Sequence, residues 1–132
     1  MSVTVDDVVN VYHDGRLMLS DSNWRTIHTT SLDNACVLAV KAENSLIPGD
    51  YYGILASTST GVVSDESWKC STVEQSGWHL ASFDDAAWAQ AQVLAAHGAW
   101  PWGHIGAINS QAKWIWAQGL AGGTVYCRRT LC

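Results

Sequence analysis

Val8-Val9-Asn10-Val11-Tyr12-His13-Asp14-Gly15-Arg16-Leu17-Met18-Leu19 is the stretch that decides the fold class. β-Branched residues fill its first half and favour an extended, half-buried chain. Asp14-Gly15 then separates two apolar runs, the strongest short-range signal of a tight hairpin. One strand enters that turn and another leaves it. The same grammar continues outward. Ser2 to Val5 reads as a strand, separated from Val8 by Asp6-Asp7. Ser20 to Asn23 is polar loop, Trp24 to Thr30 alternates, and Ser31-Leu32-Asp33-Asn34 is a second turn. Cys36 to Ala42 is a mostly apolar run that fits a central buried strand.

Further along, Glu43 to Tyr51 is a loop with Pro48 and Gly49 as breakers, and Tyr52 to Thr58 is a strand. Trp68 to Ser71 and Val93 to Ala96 read as short strands. Ala112 to Ala117 and Thr124 to Leu131 close the chain as strands joined by Gly119-Leu120-Ala121-Gly122-Gly123. Trp114 and Trp116 lie two apart, so they are expected on one face, read as core. Asp84-Asp85 before Ala86-Ala87-Trp88-Ala89 predicts one or two helical turns with an Asp as N-cap. His97 to His104 must be loop, because its glycines and its X-Pro step exclude regular structure. Many short strands with turn signals about every ten residues predict an all-β sandwich or barrel. The length of 132 residues suits one domain spanning 1–132. Such a chain buries roughly two-thirds of its unfolded surface.

Composition narrows the function classes. The chain is 48% hydrophobic and 14% charged, which excludes a disordered segment. Its net charge is −5 with seven Lys and Arg, which argues against nucleic acid and against a polybasic membrane contact. No run of apolar residues is long enough to span a bilayer. Met1 to Asp7 lacks the basic start and apolar stretch of a signal peptide. A removed signal, unconventional export and retention inside all remain open; secretion is the working expectation.

The four cysteines are Cys36, Cys70, Cys127 and Cys132. None forms a Cys-x-x-Cys pair, so zinc and thioredoxin-like readings are weak. Two disulfides have three possible pairings. Cys70–Cys127 is favoured, since both lie in strand-like runs; four reduced thiols are the alternative. Cys132, the final residue, is expected to be mobile or to pair with a second chain.

Eight tryptophans stand beside a single phenylalanine. Most must be core, but an indole also suits stacking on the C–H face of a sugar ring.

Several pieces of the chain resemble the jelly-roll modules of the galactose-binding-like superfamily, especially the accessory modules of α-rhamnosidase-type glycosidases and lectin-like proteins. They are Val11-Tyr12-His13-Asp14-Gly15, Asn23-Trp24, Val40-Lys41-Ala42-Glu43-Asn44, Gly53-Ile54-Leu55-Ala56 and Ser67-Trp68-Lys69. Further on come Gly77-Trp78, Phe83-Asp84-Asp85-Ala86-Ala87-Trp88, Pro101-Trp102-Gly103, Ala112-Lys113-Trp114-Ile115-Trp116 and Val125-Tyr126-Cys127-Arg128. Such modules often begin with the Trp-Ile-Trp strand, which here lies near the C-terminus. The resemblance therefore implies a last strand at an edge beside the first, as in a permuted order, or a piece of a tandem array. It also implies carbohydrate binding, with galactose- or rhamnose-type sugars as the default ligands and calcium often nearby. The His with Arg-Gly-Asp pattern of F-type lectins is absent.

Residue chemistry points the same way. There is no Gly-x-Ser-x-Gly, Walker loop or Gly-x-Gly-x-x-Gly. The carboxylate pairs Asp6-Asp7, Asp65-Glu66 and Asp84-Asp85 are adjacent, and a glycosidase needs two carboxyls facing across a cleft. Asp14 reads as a turn residue. Calcium would draw on Asp6, Asp7, Asp21 or Asp50; His13 and His28 are scattered, which disfavours zinc. A sugar site needs an aromatic face and planar polar groups. The loop from His97 to His104 carries Trp100 with two imidazoles, and the loop from Glu43 to Tyr52 carries Asp50 and Tyr51. The expected site is His97, Trp100, His104, Asp50, Tyr51 and His79, with Trp102 and Glu43-Asn44 read as scaffold. A non-catalytic lectin is the leading expectation, a structural or protein-interaction matrix module the alternative. Single sugar sites are weak, so a homo-oligomer, most simply a two-fold dimer, is expected.

Overall fold

The computed structural model describes residues 1–6, 8–21, 28–29, 36–44, 51–99, 102–120 and 122–132. The chain forms strands β1 (Ser2–Asp6), β2 (Val8–His13), β3 (Arg16–Asp21), β4 (His28–Thr29), β5 (Val37–Asn44) and β6 (Gly53–Ser57). It continues with β7 (Lys69–Ser71), β8 (Ala89–Gln90), β9 (Gln92–Ala96), β10 (Lys113–Trp116) and β11 (Gly123–Thr130). They build two antiparallel sheets: one in the order β4-β1-β6-β10-β9, the other in the order β3-β2-β5-β11-β7-β8. The result is an all-β sandwich, with no helix among the described residues. The turn expected at Ser31 to Asn34 and the segment Asn23-Trp24 lie outside the described residues.

The hairpin forms as its sequence dictates. Asp14 and Gly15 have φ angles of 50° and 84°, the left-handed pair that a two-residue turn requires. Asp14 does more than turn the chain. Its Oδ1 accepts the N–H groups of Cys36 at 2.7 Å and Val37 at 2.8 Å, fastening the hairpin to the start of β5.

The sheets face one another across a core of Val3, Val5, Val9, Val11, Leu38, Val40, Ile54, Ile115, Val125 and Cys127. These residues alternate along their strands, which aims one set inward. The opposite faces are also covered. Ala39 and Tyr126 turn outward from the six-stranded sheet and are roofed by Trp78 and Trp88, with Tyr12 and Phe83 alongside. Leu55 and Trp114 turn outward from the five-stranded sheet and are roofed by Ile108 and Ala112, with Trp102 and Ile105 alongside. Double coverage explains why β5 reads as a nearly unbroken apolar run.

Four sequence expectations are corrected. Asp84 caps a turn rather than a helix: its Oδ1 accepts the Ala86 N–H at 3.0 Å, and the Trp88 N–H closes on the Asp85 carbonyl at 2.9 Å. The chain leaves that turn directly into β8, because Trp88 must reach the Trp78 cluster. The last strand does not sit at an edge beside the first. β11 lies inside the six-stranded sheet between β5 and β7, paired with β5 over eight residues from Gly123 to Thr130. Nor is Cys132 mobile or available to another chain, since it is bonded to Cys36. The Leu131 N–H donates to the Cys36 carbonyl at 2.7 Å and brings the two cysteines together. The favoured pair is present: Cys70 and Cys127 are cross-strand partners of β7 and β11 and form the second disulfide. Trp114 and Trp116 are both fully buried, but they enter different clusters. A register shift between Trp114 and Ile115 interrupts the simple alternation.

The roof over the six-stranded sheet is held by a buried charge. Arg128 is 1% exposed, and its Nη1 donates to the Trp78 carbonyl at 2.8 Å and the Leu80 carbonyl at 3.3 Å. Its Nε lies 2.9 Å from Asp85 Oδ2. The Nε–H is not aligned on that carboxylate, so the contact is an ion pair rather than a directed hydrogen bond. Burial lowers the Arg128 pKa from its ordinary value, and Asp85 opposes the shift. Arg128→Ala leaves the Trp78 and Leu80 carbonyls without their donor and Asp85 with Lys69 alone, 3.7 Å away, and is expected to cost about 1–3 kcal/mol in urea unfolding. A loss below about 1 kcal/mol would show that the roof does not depend on this pair.

Tyr126 supplies a pH test. Its burial, and then the Glu74 carboxylate that accepts its O–H at 3.3 Å, raise its pKa above the ordinary 10.0. The folded chain thus keeps a proton that the unfolded chain loses. The associated stability is fully present below pH 10.0 and falls as pH rises through the folded value. Tyr126→Phe is expected to flatten that alkaline slope in unfolding midpoints measured from pH 9 upward, on the order of one proton's worth. An unchanged slope would contradict it.

Candidate functional site

Residues 97–99 and 102–112 fold over the outer face of the five-stranded sheet through successive tight turns. The Trp102 and Gly103 N–H groups close on the Ala99 carbonyl at 3.1 and 3.0 Å, and the Ile108 N–H on the Ile105 carbonyl at 3.1 Å. Gly98 and Gly103 have φ angles of 94° and 70°, which glycine accepts without steric cost. The far end is pinned by Asn109, whose N–H donates to Ser57 Oγ at 2.9 Å.

Trp102 lies flat on Trp114, with ring centroids 4.0 Å apart and planes 19° from parallel. Its Nε1–H donates to Asp6 Oδ2 at 3.1 Å. Tyr51, just before β6, meets Trp102 edge-on with centroids 6.0 Å apart, and is 42% exposed. Its carbonyl accepts the Asn44 Nδ2–H at 2.7 Å, which ties the end of β5 to the start of β6. Asn44 is therefore scaffold, as its sequence context implied. Trp102 bridges a buried indole and an exposed phenol.

The two imidazoles of the loop are parallel: His97 and His104 stack with centroids 4.7 Å apart and 10° between planes. Their roles differ. His97 Nε2 accepts the Ile105 N–H at 2.8 Å, so its Nδ1 carries the proton donated to the Asn109 carbonyl at 3.0 Å. Both nitrogens of His97 are thus spent within the loop. His104 is exposed and lies two residues beyond Trp102.

The expected site is brought together only in part. Tyr51, His97 and His104 belong to this side of the sandwich. Trp100 and Asp50 lie outside the described residues. His79 is elsewhere: its ring packs on Tyr12 at 4.8 Å and Trp78 at 5.7 Å, on the outer face of the six-stranded sheet. Asp6 as the partner of Trp102 was not legible, since 96 residues separate the two. Among the described residues no group of three or more His, Cys, Asp or Glu stands close enough to hold a metal ion. Of the carboxylates considered for calcium, Asp6 receives the Trp102 indole, and Asp7, Asp50 and the Asp21 side chain lie outside the described residues.

An exposed phenol standing on packed indoles is a surface for an amphipathic ring, apolar on its face and polar at its rim. Comparison with known proteins bears on what that ring is. No protein-family model matches the chain, and no solved structure matches it. Across 132 aligned positions it is 32% identical to part of an alpha-L-rhamnosidase of Streptomyces avermitilis. The alignment takes in 86% of this chain and 13% of that protein. The likeness is thus to one segment of a carbohydrate-acting enzyme, and the all-β two-sheet fold is compatible with a galactose-binding-like accessory module.

The shelf rests on one absent side chain. A Cβ at Gly53 would lie 2.7 Å from Cε3 of Trp114, a ring already clamped beneath Trp102. Gly53→Ala is expected to cost about 1–3 kcal/mol and to change the near-ultraviolet circular dichroism of the stacked indoles. Wild-type stability with an unaltered spectrum would refute this packing.

Proposed function

We propose that residues 1–132 are one non-catalytic carbohydrate-binding domain, a lectin in function, whose site is the Tyr51–Trp102–His104 shelf. One observation carries the reading: Tyr51 stands exposed and edge-on to Trp102, which lies flat on the buried Trp114. The phenol ring offers a stacking face for sugar C–H groups, and the imidazole offers a planar partner for hydroxyls. His97 positions His104 and does not touch the ligand. The likeness to a rhamnosidase segment favours terminal rhamnose-type sugars, with galactose-type sugars next. Two disulfides favour an oxidising, extracellular setting. No helix among the described residues is long and apolar enough to cross a membrane.

A glycan array run with calcium and with EDTA is the test. Hits sharing one terminal sugar are expected, and loss of them in EDTA would add a metal to the site. Tyr51→Ala is expected to weaken the best hit about tenfold, the weight of one stacking contact, with an unchanged melting temperature. Silence of the folded chain in both conditions would overturn the reading and favour a protein-interaction module.

A further inference from the structure

The cover over the five-stranded sheet is anchored by a histidine that can serve in only one protonation state. The His97 Nε2 lone pair accepts the Ile105 N–H at 2.8 Å, while its Nδ1–H donates to the Asn109 carbonyl at 3.0 Å. An imidazolium has no lone pair, so both of its nitrogens are donors. Protonated His97 would therefore turn an N–H against the Ile105 N–H. A hydrogen bond is lost, and one donor is left facing another. His104 sharpens the effect. Its ring lies parallel to His97 with centroids 4.7 Å apart, so two charged rings would lie face to face.

Among the described residues no carboxylate answers such a charge. His97 is half-buried, and no Asp, Glu, Lys or Arg occurs between Asp85 and Lys113. Of the elements packed against the cover, β6, β9 and residues 58–64 carry no titratable side chain. β10 brings Lys113, whose ammonium lies 3.3 Å from Glu66. β1 brings Asp6, whose carboxylate already receives the Trp102 indole. The Tyr51 phenol meets Trp102, not the imidazoles.

The bond that protonation breaks ties His97 to Ile105, and Trp102 lies between the two in the chain. The far end of the cover has other holds. Ile108 and Ala112 are buried, and the Asn109 N–H donates to Ser57. We infer that His97 and His104 form an acid-sensitive clasp, whose protonation frees Ile105 and loosens Trp102 from Trp114 while Ile108, Ala112 and both sheets stay in place. The open form binds more protons than the closed one. The clasp is thus shut in the alkaline part of the imidazole range and opens as pH falls from about 8 to about 5. It is built from protein groups alone and works without a ligand. Only its consequence, release of a sugar in acid, rests on the function proposed for the shelf.

The test is a ligand-free NMR titration of the disulfide-intact chain from about pH 8 to about pH 5. The His97 ring, the Ile105 amide and the Trp102 indole N–H are expected to change along one curve, with a steepness of about two protons. The Ile105 amide is expected to lose its protection from solvent exchange over the same interval. The indole signals of Trp68 and Trp116, both in the inner layer, are expected to stay where they are. His97→Gln offers one acceptor and one donor that do not titrate, and is expected to abolish the common transition. Should that variant not fold, His104→Ala decides: without the stacked partner the steepness is expected to fall to about one proton. His97 charging while Ile105 and Trp102 stay unchanged would overturn the inference. So would no change in any of the three, a simultaneous change at Trp68 and Trp116, a transition that survives in His97→Gln, or a steepness unaltered in His104→Ala. A failure of sugar binding alone would touch none of these results.

Discussion

Indole rings set the terms of this structure. An indole needs dry contact for its faces and a partner for its N–H, and one small core cannot supply both for many of them. The chain solves this with three apolar layers, one between the sheets and one on each outer face. Trp68 and Trp116 enter the inner layer and donate to the carbonyls of Val63 and Gly122. Trp88 roofs the six-stranded sheet and donates to Gln75. Trp102 roofs the other sheet and donates to Asp6. Trp114 has its ring buried, while its Nε1 has no hydrogen-bond partner. Because irregular segments do the roofing, the sandwich gains two covers, and one of them becomes the candidate site.

The covers need anchors, since a segment without ladder hydrogen bonds is not held by a sheet. Over the six-stranded sheet the anchor is Arg128, projecting outward from β11 into the backbone carbonyls of the cover. Over the five-stranded sheet it is His97, which ties the start of the 97–112 segment to Ile105 and Asn109. β11 itself is held by its long ladder to β5 and by the Cys70–Cys127 and Cys36–Cys132 bonds. On a chain-entropy estimate, closing loops of this size stabilises by about 4 kcal/mol per bridge. That is a large share of the 5–15 kcal/mol typical of a small domain.

What was legible in the sequence follows from the range of the signal. Asp14-Gly15 announces its turn because both positive φ angles belong to neighbouring residues. The run after Cys36 announces a buried strand because its burial leaves no polar alternation. The Cys36–Cys132 bond was not legible, because only the β5–β11 register brings residues at the two ends of that ladder together. Asp84 misled because a capping aspartate before alanines fits a helix and an Asx turn equally; the pull of Trp88 into its cluster decides between them. His79 and the 97–104 loop shared residue chemistry but not a side of the sandwich, and no local pattern encodes sidedness between distant loops. The contacts of Trp102 with Asp6 and Tyr51 were hidden for the same reason.

A shelf of stacked aromatics makes the surface rigid before any ligand arrives, so a sugar landing on it loses its own freedom and little of the protein's. The most direct measurement is an amide and side-chain NMR titration of the folded chain with L-rhamnose and, separately, D-galactose. Shifts confined to the Tyr51 ring, the Trp102 indole N–H and the His104 imidazole, with His97 still carrying its proton on Nδ1, are the expected result. Shifts gathered instead around Tyr12 and His79, or none with either sugar, would contradict a carbohydrate site on this face.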